Sequence, residues 1–322
     1  MKGGSDLKND VYQPKDNYER NFLLVKKFGG KFGVLFLTIL FFANIVLSII
    51  LSFQENDKLI VIITRVASSK FSFNIDLGEY KTLLFLGNVL ISAFITCCLI
   101  LIFVKSRNMG FSESPEMGIL LLHKFSMLEI VLCAVAFLAM IAETGYFMFG
   151  DINNFDWLAH IFNMNISDIL AYKVTFVIFF ILADILSFML IWNAQSQAVF
   201  LKSIKQTLLE SVPRNKGAHA YGVFSLSIGI LLIGYAALVT FLYTCYKDAF
   251  SGFSIDVDKT FVILSLSLAY IRGLIPCVIG ILAFSFSSMV DESNNYNNLS
   301  YNFQVLGDAQ DPNMSGRKNN FY

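Results

Sequence analysis

The stretch Tyr270-Ile271-Arg272-Gly273-Leu274-Ile275-Pro276-Cys277 decides the fold, because it sets a permanent cation and a helix-distorting proline inside an apolar run from about residue 260 to 290. A run of that length crosses a bilayer, whose ~30 Å hydrocarbon core takes roughly 20 apolar residues. Arg272 then falls near the midplane. An unpaired arginine there costs at least ~2.5–3.5 kcal/mol on insertion scales, so the side chain is expected to face protein or water and to have a partner.

Five further apolar runs precede this one, at about residues 32–53, 83–104, 127–149, 174–192 and 221–245. The chain is 56% hydrophobic and 15% charged, well below the ~25% charged typical of soluble domains. The reading is all-α: a polytopic integral membrane protein built as a six-transmembrane-helix bundle. Residues 1–31 form a polar, basic N-terminal tail in which 21–31 have the pattern of a short interfacial helix. Residues 32–290 form the transmembrane domain. Residues 291–322 are polar, asparagine-rich and without periodicity, and are expected to be disordered. No cleavable signal is expected ahead of the first span, which serves as its own insertion signal.

Between the spans, Leu59–Thr64 is β-branched and too short to cross, so a strand or a segment docked on the bundle is expected there. Phe155, Trp157, Leu158, Ile161 and Phe162 fit a surface amphipathic helix, with Trp157 in the aromatic belt. Asn165-Ile166-Ser167 is a glycosylation sequon. Lysine and arginine sort by side: 16 fall on the side of the two tails and the second and fourth loops, 7 on the other. By the positive-inside rule both termini are expected in the cytoplasm, in a plasma or inner membrane.

Counting inward from the outer ends, at ~1.5 Å per residue, puts Arg272, Asp184, Ser92 and Asn44 at about 9–11 residues, the middle of the core. Glu143 lies about 6 residues in. Each sits on a stripe: Glu129, Cys133, Ala136, Met140 and Glu143 on the third span; Asp184, Ser187, Ile191 and Gln195 on the fourth; Asn88, Ser92 and Thr96 on the second. Such faces turn away from lipid. The expected polar centre is therefore Asp184 paired with Arg272, with Asn44 and Ser92 completing the hydrogen bonds and Glu143 adding a surplus charge. Gly273 and Pro276 offer a hinge. Ser225-x-x-x-Gly229 allows close helix approach, so the fifth span is expected inside the bundle.

No enzyme constellation is present: no His-Glu-x-x-His, no Walker loop and no dinucleotide glycine turn. Gly252-Phe253-Ser254 and Gly110-Phe111-Ser112 read as turns, and His123, His160 and His219 stand far apart. The cysteines, at 97, 98, 133, 245 and 277, show neither disulfide nor metal-ligand spacing and read as small buried hydrophobes. No cofactor or metal is expected. Zero net charge points to no nucleic-acid partner; the lipid bilayer is the expected environment, and further copies or membrane-complex partners stay open. Two functional readings follow. One is a small-solute or ion transporter or channel-type bundle using the Asp184–Arg272 centre, its two three-span halves in opposite orientation. The other is a non-transporting scaffold, assembly factor or sensor in which the pair is structural.

Overall fold

Apolar runs of this length can satisfy their backbone amides in lipid only by internal hydrogen bonding, so they fold as helices. A computed structural model describes residues 17–53, 78–108, 115–150, 166–171, 173–209, 215–245 and 259–310. Every regular element among these is helical: α1 (Asn17–Gly29), α2 (Phe32–Phe53), α3 (Gly78–Arg107), α4 (Glu116–Phe149), α5 (Ile166–Ala171), α6 (Lys173–Leu209), α7 (Ala218–Cys245) and α8 (Lys259–Gln310). Six of them, α2, α3, α4, α6, α7 and α8, are long and apolar enough to cross a membrane, as a multi-pass membrane protein requires. Residues 1–16, Leu59–Thr64, the 155–162 segment and Asn165 lie outside the described residues.

The six long helices close into a ring in chain order, with α8 returning to α2. Contacts around the ring are unequal. The α7–α8 and α4–α6 pairs are the most extensive, α2 packs on both α3 and α8, and the α3–α4 and α6–α7 seams are thinner. The molecule therefore divides into a four-helix group, α2, α3, α7 and α8, and a two-helix group, α4 and α6. This grouping cuts across the two three-span halves considered from the sequence.

Burial is concentrated at the end of the ring occupied by α1. In α4, Gly118, Ile119, Leu122 and Ser126 are buried, yet no residue from Met127 to Glu143 is. The mirror pattern holds in α6, where burial resumes at Ala194 and continues through Phe200, Leu201 and Ile204. Helices of 34 and 37 residues, about 51 and 55 Å long, exceed the ~30 Å core. Their surplus turns meet around α1. Gly118-Ile119-Leu120-Leu121-Leu122 thus forms leading turns of the third span rather than a separate interfacial helix.

Phe22, Leu24, Val25 and Phe28 give α1 its apolar side, and all four enter the main core. Edge-on ring contacts join Phe28 to Phe286 at 5.1 Å and Phe286 to Phe200 at 5.7 Å, and Phe200 lies 5.7 Å from Tyr221. Lys26 Nζ donates to the Asn108 carbonyl, and Lys31 Nζ to Ser285 Oγ. The helix expected at 21–31 thus starts earlier, at Asn17, and packs against α3 and α6 at this end of the bundle.

Two other expectations are corrected. The last helix does not stop at Val290: α8 continues to Gln310, and residues 311–322 lie outside the described residues. No glycine or proline interrupts 281–306, and adding residues to a formed helix needs no new nucleus. Asn215 Nδ2 anchors this stretch by donating to Ser287 Oγ at 3.1 Å and Asp291 Oδ1 at 2.9 Å. Nor is α7 enclosed: Ile230, Leu231, Tyr235, Leu238 and Phe241 are exposed. The small-residue side of α7 packs on α8, and Tyr221 at its start meets Phe200 of α6. A Cβ on Gly229 would stand 2.7 Å from the Cys277 nitrogen and 2.9 Å from the Gly273 oxygen, while one on Gly273 would stand 2.9 Å from the Ile233 nitrogen.

Candidate functional site

Arg272 projects from α8 toward α2, where its Nε donates to Asn44 Oδ1 at 3.3 Å. Asn44, 2% exposed, passes the network on: its Nδ2 donates to Ser92 Oγ at 2.9 Å and lies 3.5 Å from Asn88 Oδ1. Asn88 Nδ2 in turn reaches Ser48 Oγ at 3.2 Å. Two asparagines suit this position because each carries both donor and acceptor and can bridge three helices without a charge. Farther along, Tyr270 and Thr240 hydroxyls lie 3.2 Å apart and tie α8 to α7. Pro276 lies within α8; lacking an N–H, it leaves the Arg272 carbonyl, four residues back, without its helical donor.

Asp184 does not pair with Arg272. Thr144 Oγ1 on α4 donates to Asp184 Oδ2 at 2.9 Å, and Asp184 Oδ1 is buried without a hydrogen-bond partner among the described residues. One turn along, Ser187 Oγ contacts Met140 Sδ at 2.9 Å. The expected charge pair fails because depth and partner are separate properties. Residue counting matches Asp184 and Arg272 in depth, but α6 packs chiefly on α4, and α8 on α7 and α2. A neutral amide also satisfies a guanidinium donor without the desolvation of a second ion. Of the five residues expected at the centre, Arg272, Asn44 and Ser92 come together; Asp184 and Glu143 belong to the α4–α6 pair, with Glu143 beside Thr144 in sequence. Ser225, 4% exposed, and Gly229 lie on α7 with Gly229 against α8.

Next to α1 lies a cavity of about 590 Å³, lined by residues of all six long helices and by Val25, Phe28 and Gly29 of α1, and open on the side where Ile91, Leu128 and Leu132 are exposed. Its walls are mostly Ile, Leu and Phe, with Glu129, Cys133, Gln197 and Tyr221 as polar exceptions. Reasoning from the sequence placed Glu129 on a stripe but not in a site, since it lies only two residues inside the expected third span. The usable signal was a carboxylate one turn before Cys133 on a face shared with Ala136 and Met140. Tyr221 and Gln197 had no signal, because only the closing of α6 and α7 around the cavity brings them to it.

Among the described residues no group of His, Cys, Asp and Glu is arranged to hold a metal ion. Cys97, Cys98, Cys133 and Cys277 are free thiols. His219 lies edge-on to Phe284 at 5.3 Å. Fold and site together define an all-helical bundle of six potential spans, with a polar network on one side and a lined cavity at one end. No family model, curated protein or solved structure matches the chain.

Proposed function

We propose that this chain is a transporter-type membrane bundle that admits a small solute to its central cavity, with both termini cytoplasmic and α1 closing the cavity on the cytoplasmic side of a plasma or inner membrane. The observation that carries this reading is the cavity itself. At about 590 Å³ it lies within the roughly 300–1,000 Å³ of small-molecule sites, and like them it is mainly apolar with a few convergent polar groups. A bundle that serves only as a scaffold gains nothing from such a void, whose lining forfeits packing contacts.

The unequal ring offers a way to open it. The α4–α6 pair and the four-helix group are each well packed internally, and the thinner α3–α4 and α6–α7 seams separate them. Rigid-body rocking across such seams is the usual means of alternating access. The Arg272–Asn44–Ser92 network then belongs to the static group, holding α2, α3 and α8 in register, and Gly273 with Pro276 supplies flexibility near it.

Cys133 lines the cavity and tests the proposal directly. In a variant with the other four cysteines replaced by alanine, reconstituted in vesicles, Cys133 is expected to react with a small cationic methanethiosulfonate added in water. Prior filling of the cavity by Ile95→Trp is expected to protect it. A Cys133 that stays unreactive in the folded protein, with full reaction after denaturation, overturns the proposal in favour of a closed scaffold.

A further inference from the structure

We propose that the cavity selects lipophilic cations, quaternary or charge-delocalised, with Glu129 as the counter-charge; this rests on the cavity reading above and names its substrate class. Among the described residues, Glu129 is the one charged residue in the lining. It is half-buried and forms no hydrogen bond or ion pair with any described residue. A carboxylate in apolar surroundings needs a proton or a cation beside it, and among the described residues no lysine or arginine lines the walls to supply one.

The rest of the lining narrows the cation. Hard metal ions need six or more oxygen ligands, and beyond Glu129 the side-chain oxygens here are those of Gln197 and Tyr221. A primary ammonium has three donors to satisfy, which would take nearly every side-chain oxygen of Glu129, Gln197 and Tyr221 at once. A cation with no N–H donors, its charge spread over an apolar body, requires neither. Phe28, Phe41, Phe125, Phe200 and Tyr221 bring five aromatic rings to the same cavity, and aromatic rings are the recognised hosts of quaternary cations.

Tetraphenylphosphonium and tetraphenylborate match in size and shape and differ in the sign of their charge. Binding of each to the full-length protein in nanodiscs, corrected for empty nanodiscs, tests the inference. Saturable binding of the phosphonium is expected, with the borate at least about tenfold weaker. Glu129→Gln, which keeps the side-chain volume, is expected to weaken the phosphonium about tenfold and leave the melting temperature of the protein unchanged, Glu129→Asp to retain binding, and Ile95→Trp to abolish it. Equal binding of both ions, binding indifferent to Glu129→Gln, or no binding of either ion each overturns the cation assignment. Cys133 reactivity separates the two readings: with a reactive thiol, those outcomes leave the cavity open to a neutral or anionic solute, and with an unreactive one the transporter proposal fails as well.

Discussion

Arg272 keeps its place beside Asn44 through a single hydrogen bond between a charged donor and a neutral acceptor, and Asn44 is the residue on which the rest of that network depends. Replacing Asn44 by leucine removes the acceptor for Arg272 and the donor for Ser92 together. Losses of ~1–2 kcal/mol are expected, within the range measured for polar contacts between membrane helices, and read as a lower melting temperature in nanodiscs. A double-mutant cycle between Arg272→Leu and Asn44→Leu should show coupling of ~0.5 kcal/mol or more, while Arg272→Leu with Asp184→Asn should add within about 0.5 kcal/mol. Coupling in the second cycle would restore the charge pair that α6 and α8 do not form here. The Asp184–Thr144 contact gives a complementary expectation: Thr144→Val leaves both carboxylate oxygens of Asp184 without donors and should destabilise the α4–α6 pair. A melting temperature equal to that of the native chain would rule this out. At this scale the polar residues and their depth were legible as departures from apolar runs. Their partners were not, since a helix side chain has both a depth and an azimuth, and only packing settles the second.

Among the helices, α7 and α8 make the closest approach, and glycine makes it possible. Gly229→Leu would drive a side chain into the α8 backbone, and loss of monodisperse folded protein is expected in size-exclusion chromatography. Gly87→Ala and Gly145→Ala are the matched controls, since a Cβ at either position meets nothing within 4 Å; each should leave stability unchanged or raise it by up to ~1 kcal/mol, the helical preference for alanine over glycine. A Gly229→Leu protein as stable as these controls would mean that α7 and α8 do not meet as described. The small-x-x-x-small spacing from Ser225 to Gly229 was readable without a structure. That it serves one neighbour, with the opposite side of α7 left apolar and exposed, was not, because periodicity identifies a face and leaves its enclosure open. The extension of α8 past Val290 was hidden for another reason. A polar composition reads as disorder, whereas a preformed apolar helix lowers the cost of continuing through polar residues.

For the molecule as a whole, α1 bounds one end of the cavity. Deleting residues 1–30 removes Val25, Phe28 and Gly29 from the lining and four apolar side chains from the core. A lower melting temperature is expected, together with faster modification of Cys133 by water-borne reagent. Slower or unchanged labelling would show that α1 does not bound the cavity. A milder variant, Val25→Asp, keeps the chain intact and should act in the same direction. Orientation has its own test at this scale: a protease added outside sealed cells should cut neither an N-terminal nor a C-terminal epitope tag, and cleavage of either would reverse the proposed topology.

Composition and run length alone determined that the chain is helical and how many segments can cross a bilayer, because in lipid a backbone has no alternative to bonding with itself. They also marked Arg272, Asp184 and Glu143 as residues out of keeping with their surroundings. Only the tertiary structure decided that Asp184 answers to Thr144 and Arg272 to Asn44, and that a basic N-terminal helix folds under the ring. It alone assembled Glu129, Gln197 and Tyr221 around one cavity. Those outcomes depend on which helix faces which, a choice made by the summed packing of many side chains and carried by no local stretch of sequence.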